Sequence, residues 1–178
     1  TGSAEGVTND PNATRTVTVT VNEGKDGKLD IVREEPKGEI VFTNTYDAKE
    51  SLTLEASKTL KNKALEADAF NFVLKDENGE TIQTVANDAN GNVTFSPLNY
   101  TLKDVGTHVY TVSEVQTENT EVTYDTTEYT VEVTVADAGN GKLNVSKTIK
   151  KGDDTVEAIA FENIYKGVID ISGSKTWN

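Results

Sequence analysis

The chain has no cysteine, no methionine, one histidine, one tryptophan and only three prolines in 178 residues. Without cysteine there can be no disulfide, thiolate nucleophile or thiolate metal site, and a single histidine rules out a multi-histidine metal centre. Most enzyme classes therefore lose their usual parts, and neither a metal nor a cofactor is expected. The absence of methionine means that the chain lacks its own start and reads as a mature fragment. No apolar run approaches the ~18 residues of a membrane span, and neither a signal peptide nor a cell-wall sorting signal is visible. Positive charge is also scarce: 17 Lys and Arg against 30 Asp and Glu leave a net charge of -13. That balance argues against nucleic acid and against anionic membrane surfaces as partners, since both select a basic footprint.

Threonine and valine fill the space, with 26 Thr and 20 Val, and both favour β-strands. Period-two alternation runs through most segments, as in Thr16-Val17-Thr18-Val19-Thr20-Val21, where every valine faces one side. Asp26-Gly27, Asn78-Gly79, Asn90-Gly91 and Asn140-Gly141 tolerate positive φ and are expected to close hairpins. Only the stretch from Lys63 to Ala69 carries a helical signal, enough for one short turn. The expected fold is all-β: an Ig-like antiparallel β-sandwich.

The sequence also repeats. Tyr129 to Val135 followed by Gly141-Lys142-Leu143 matches Arg15 to Val21 followed by Gly27-Lys28-Leu29 at constant offset. Phe161-Glu162-Asn163-Ile164-Tyr165 matches Phe42-Thr43-Asn44-Thr45-Tyr46, and Ser174-Lys175-Thr176-Trp177 echoes Ser57-Lys58-Thr59-Leu60. A tandem-repeat array is expected. Residues 48–166 would form one complete unit, residues 1–47 the C-terminal part of a preceding one, and residues 167–178 the first strand of a following one.

Strand parity picks out three polar residues on apolar faces. Lys58 shares its parity with Leu52, Leu54, Ala56 and Leu60; Glu114 shares that of Tyr110 and Val112; Asn163 shares that of Ile159, Phe161 and Tyr165. Left apart, a buried lysine and a buried carboxyl would each cost several kcal/mol, so the three are expected to meet. Burial lowers a lysine pKa and raises a carboxyl pKa, which favours a neutral amine beside a neutral acid. A neutral amine held against a carboxamide can displace ammonia and leave a Lys-Asn amide, with Glu114 moving protons. The alternative is a hydrogen-bonded polar cluster, or side chains that snorkel to the sheet edge.

These residues resemble the streptococcal-type pilin isopeptide-linker domain, a module of Gram-positive pilins and wall-anchored adhesins. The resemblance runs through Ala56-Ser57-Lys58-Thr59-Leu60, Phe70-Asn71-Phe72-Val73-Leu74, Asn87 to Phe95, Gly106 to Val115, Tyr124-Asp125-Thr126-Thr127 and Phe161 to Tyr165. It implies an Ig-like sandwich closed by a spontaneous isopeptide bond between Lys58 and Asn163, assisted by Glu114. It also implies a stalk role outside the cell, on the wall of a Gram-positive bacterium, with neighbouring repeats as partners and any host surface ligand bound through other domains. The flanking pieces depart from the pattern. Asn44 stands without a lysine or an acid, and Lys175 resembles the reactive lysine of a next unit without its asparagine. Lys37, in Glu35-Pro36-Lys37-Gly38, is a candidate sortase acceptor, against the reading of an ordinary solvated turn.

Other signals read as structural. His108 has no evident nucleophile to serve, Asp88 to Asn92 lacks the downstream glutamate of a calcium loop, and Trp177 reads as core of a following unit. The expected role is structural and non-enzymatic. The alternative is an adhesin domain that binds host glycan or matrix protein directly, through loops around Asn62-Lys63 or Thr117-Glu118-Asn119. A hydrolase with paired carboxylates is the weakest reading, because the carboxylates fall in turns and on polar faces.

Overall fold

The computed structural model describes residues 4–12, 14–34, 39–167 and 173–175. Lys37 and Trp177 lie outside the described residues. The first strands are β1 (Val7–Thr8), β2 (Thr18–Glu23), β3 (Leu29–Glu34) and β4 (Thr45–Tyr46). There follow β5 (Lys49–Leu52), β6 (Glu55–Lys61), β7 (Asn71–Lys75), β8 (Thr81–Ala86), β9 (Asn92–Thr94) and β10 (Leu98–Thr101). The last are β11 (Gly106–Glu114), β12 (Val122–Thr123), β13 (Glu128–Asp137), β14 (Leu143–Lys151), β15 (Asp154–Val156) and β16 (Ile159–Tyr165).

Two sheets face each other. One has six strands in the order β15-β14-β13-β11-β7-β8, and the other has four in the order β12-β16-β6-β9. Alternation dictates which side chains fill the space between them. Phe72, Leu74, Val112, Val131 and Val133 point in from the larger sheet, and Ala56, Val93, Ile159 and Phe161 from the smaller one, with Leu54 buried just before β6. The all-β sandwich reading holds. One pairing in it is parallel: β16 runs alongside β6, with Phe161 opposite Lys58 and Asn163 opposite Leu60. The first long strand of the sandwich is thereby a direct neighbour of the last.

Turn chemistry matches three of the four expected hairpins: Asp26-Gly27, Asn78-Gly79 and Asn140-Gly141 close β2–β3, β7–β8 and β13–β14, with positive φ at each glycine. Asn90-Gly91 does not close a hairpin. It crosses from β8 in one sheet to β9 in the other, because Asp88 gathers the loop by accepting from the Asn90 and Asn92 N–H groups (2.8 and 2.7 Å). Gly91 presses on β6: its carbonyl accepts the Lys58 N–H at 2.7 Å, and a Cβ at its φ of +85° would stand 2.1 Å from the Lys58 carbonyl oxygen. The helical turn expected from Lys63 to Ala69 is replaced by turns and bends. The buried Asn87 takes the backbone groups that a helix would need, donating to Glu66 O (2.8 Å) and accepting from Phe70 N–H (2.9 Å).

The segment before the sandwich is built differently. β2 and β3 pair in isolation, and Val19, Val21, Leu29 and Ile31 on them are 53–68% exposed. Short β1 pairs with β4, placing Val7 opposite Tyr46 and Thr8 opposite Thr45.

Candidate functional site

Lys58 on β6, Glu114 at the end of β11 and Asn163 on β16 meet inside the sandwich. Their exposures are 2%, 6% and 0%. The Lys58 Nζ donates to Glu114 Oε2 at 2.7 Å, and the Asn163 Nδ2 donates to Glu114 Oε1 at 2.6 Å. One carboxyl therefore bridges the amine and the carboxamide. Each residue is brought there by parity on its strand, and the parallel β6–β16 ladder sets Lys58 and Asn163 on adjacent strands.

The walls are aromatic. Lys58 Nζ lies 4.6 Å from the Phe70 ring centroid and 5.9 Å from that of Phe72. Phe72 packs on Phe161 at 5.1 Å, and Tyr129 meets Phe161 edge-on at 5.3 Å. In this environment burial pulls the Lys58 pKa below the ordinary lysine range, even though Glu114 works in the other direction. Burial likewise pushes the Glu114 carboxyl above the usual range, against the hydrogen bonds from Lys58 and Asn163. Both shifts favour the neutral forms.

A fourth residue completes the site. The Asp125 N–H donates to Asn163 Oδ1 at 2.7 Å, so both ends of the carboxamide are held. Asp125 is itself fixed, its carboxylate accepting from the Thr127 N–H (2.9 Å) and the Glu162 N–H (3.0 Å). Burial raises its pKa, but the bonds from Thr127 and Glu162 outweigh that and hold it below the usual range. Sequence reasoning missed this role, since a backbone donor carries no side-chain signature. The signal available was the repeat, which aligns Asp125 with Asp10.

Asp10 makes the same contacts around Asn44. Its N–H donates to Asn44 Oδ1 (3.0 Å), and its carboxylate accepts from the Asn12 N–H (2.7 Å) and the Thr43 N–H (3.1 Å). The aromatic anchor has a counterpart too: Tyr129 Oη donates to Ala160 O at 2.7 Å, and Arg15 Nη2 to Val41 O at 3.1 Å, with the guanidinium 4.9 Å from the Phe42 ring centroid. Asn44 itself is exposed, and so is Lys175.

The remaining candidates are structural. His108 Nε2 lies 2.7 Å from Asp104 O, which occupies it as a donor, and its ring packs near Tyr100 at 5.5 Å. The Asp88 carboxylate is used by its own loop, and among the described residues no cluster of His, Asp or Glu is placed to hold a metal. The two loops singled out for ligand binding line a cleft of about 220 Å³ with Lys63, Phe70, Thr117, Asn119, Tyr124 and Tyr165 on its walls.

The chain matches the model of the FctA family, the Spy0128-like isopeptide containing domain, over residues 2–47 and 54–166. It belongs to this family. FctA domains are structural and not enzymatic, and so is this one. Among solved structures, the major pilin of Streptococcus pyogenes is similar at 20% identity and a TM-score of 0.41, over 65% of this chain and 50% of the pilin. A second S. pyogenes major pilin protein is similar at 20% identity and a TM-score of 0.44, over 67% and 53%. The pilus adhesin SpaC of Lactobacillus rhamnosus GG is similar at 17% identity and a TM-score of 0.42, over 94% of this chain and 20% of the adhesin. The chain thus spans about half the length of the streptococcal pilins it matches. No curated protein sequence matches it.

Proposed function

We propose that this FctA domain is a stalk segment of a Gram-positive surface protein or pilus, outside the cell and attached to its wall, and that residues 48–166 seal themselves with an amide between Lys58 and Asn163. The observation that carries the reading is one buried carboxyl, that of Glu114, hydrogen-bonded at once to the amine and the carboxamide. In the reaction the Lys58 Nζ attacks the Asn163 Cγ, the Nζ–Cγ bond forms and the Cγ–Nδ2 bond breaks. A proton from Nζ passes by way of Glu114 to Nδ2, which leaves as ammonia. Charge that develops on Oδ1 in the tetrahedral state meets the Asp125 N–H, an oxyanion donor already in place. No cofactor enters the balance.

The repeated contacts of Asp10 with Asn44 and of Asp125 with Asn163 support the division into a partial unit at 1–47 and a complete one at 48–166, with 167–178 opening a third. The exposed valines, leucine and isoleucine of β2 and β3 fit the same division, since they are the side chains that a complete sandwich would cover. Asn44 and Lys175 are then half-sites of incomplete units, and Lys37 stays a candidate for attachment to other subunits.

The test is the intact mass of the denatured chain beside a Glu114→Ala variant. The wild type should be lighter than its sequence by one ammonia and the variant should have full mass. Full mass in the wild type would reduce the three residues to a polar cluster. Asp125→Ala keeps the backbone donor but loosens its support, so bond formation after refolding should slow by about tenfold, a fraction of the loss seen when an oxyanion donor is removed. An unchanged rate would take Asp125 out of the reaction.

A second reading, direct binding of host glycan or matrix protein, has the cleft between the Lys63 and Thr117 loops in its favour. Its volume falls below the ~300 Å³ at which small-molecule pockets usually begin. Binding of glycans or matrix protein by the wild-type chain, lost on Tyr165→Ala, would support it.

A further inference from the structure

Residues 1–47 and 48–166 meet at a compact junction. Tyr46 Oη donates to Asp137 Oδ1 at 2.8 Å and accepts from the Gly141 N–H at 3.2 Å. The Gly139 N–H donates to the same Asp137 oxygen at 2.9 Å, which fixes the carboxylate in the β13–β14 turn. Beside this bond two glycine backbones touch. A Cβ on Gly6 would stand 2.4 Å from Gly141 Cα, and one on Gly141 would stand 2.7 Å from Gly6 Cα and N. Both have positive φ, +77° and +75°, so any side chain here meets both backbone strain and a clash. The connecting residues have no slack either: the Asp47 N–H donates to Gly6 O at 2.9 Å, Ala48 is 1% exposed in the sandwich core, and Lys49 bridges to Lys142.

We propose that Tyr46, Gly6 and the Asp137–Gly141 turn form a joint that locks two successive sandwich units at a fixed angle. The inference rests on the reading above that 1–47 and 48–166 belong to successive units. Its receiving half recurs on the N-terminal side, and its inserting half is altered on the C-terminal side. In the β2–β3 turn, Glu23 and Gly27 stand where Asp137 and Gly141 stand, and the Gly24 N–H donates to Lys28 O (2.8 Å) as the Ala138 N–H donates to Lys142 O (3.1 Å). Gly27 has the same kind of φ, +70°, and a Cβ on it would meet nothing within 4 Å. This turn is the receiving half of the joint with its face open. At the far end Tyr165 takes the place of Tyr46, and the Lys166 N–H donates to Glu121 O (2.7 Å) as Asp47 does to Gly6. Here Glu121 replaces the glycine and its carboxylate accepts from Tyr165 Oη at 3.1 Å, so this half is closed on itself.

The experiment uses the full chain, in which Thr20→Cys and Thr148→Cys supply the only thiols for a pair of spin labels on exposed strand positions. Pulsed electron resonance should give one narrow distance distribution. Tyr46→Phe and Gly141→Ala should each at least double its width, while Gly27→Ala, which bears the same backbone strain and no clash, should leave it unchanged. A broad distribution in the parent, or equal widths in Gly141→Ala and Gly27→Ala, would overturn the joint. The mass loss of one ammonia, read on the same samples, reports the stalk reading separately: its absence would remove that reading whatever the widths.

Discussion

Pulled from its two ends, the sandwich should not extend between Lys58 and Asn163. Force enters along β6 and leaves along β16, which are neighbours in one sheet. Without a covalent tie the load shears their ladder and then unravels everything between them, roughly 100 residues at ~3.5 Å each, or about 350 Å of new length. With an amide between Lys58 and Asn163, the load passes from β6 to β16 through that bond, and the six-stranded sheet is never placed in series with it. Single-molecule stretching of the wild type should therefore show no unfolding step of that length, and Glu114→Ala should show it in every trace. The same step in the wild type would mean that the strands are held by hydrogen bonds alone.

The second large effect is on stability. Lys58→Met keeps an unbranched side chain in the aromatic pocket and leaves Glu114 its hydrogen bond to Asn163, so it removes chiefly the crosslink. A closed loop of roughly 100 residues contributes about 4 to 5 kcal/mol in the chain-entropy treatment, and melting should fall by on the order of 15 °C. Glu114→Ala should lose more, about 3 kcal/mol further, because Lys58 then stays buried with no partner. The two also differ in pH dependence. Burial already lowers the Lys58 pKa, and removing Glu114 takes away the influence that raises it. The unfolded chain then binds a proton that the folded one refuses, so the stability of Glu114→Ala declines as pH falls from the ordinary lysine range through the folded pKa. Lys58→Met has the opposite slope. It keeps Glu114, whose carboxyl burial pushes up and which no longer has Lys58 to lower it. Its stability therefore rises as pH falls through the folded Glu114 pKa toward the ordinary carboxylate range. Parallel pH curves for the two variants would contradict the assignment of Lys58 as a buried neutral amine. Chemical denaturation across pH measures both.

Much of this was legible from spacing. Alternation with period two placed Lys58, Glu114 and Asn163 on inward faces, and a sandwich has one interior in which inward polar groups can meet. Parity reports only the face, however, not the neighbour or its direction, so the parallel ladder of β6 and β16 was not foreseen. The Lys63 to Ala69 stretch has helix-forming residues, but the competing hydrogen bonds come from Asn87, remote in sequence. Asn90-Gly91 has the composition of a hairpin turn, and what makes it a crossover is the Asp88 carboxylate together with the close approach of Gly91 to Lys58. Asp125 reaches Asn163 through its N–H, and Tyr46 reaches Asp137, 91 residues away in sequence. In both cases the repeat carries a trace of the position, in Asp10 and in Tyr165.

The central claim is a covalent bond between two named atoms, and a protease digest of the purified chain analysed by tandem mass spectrometry tests it most directly. The account predicts a branched peptide in which the strand bearing Lys58 is joined through Nζ to the strand bearing Asn163, with one ammonia missing, and two separate linear peptides from Glu114→Ala. Linear Lys58 and Asn163 peptides at full mass in the wild type would contradict it.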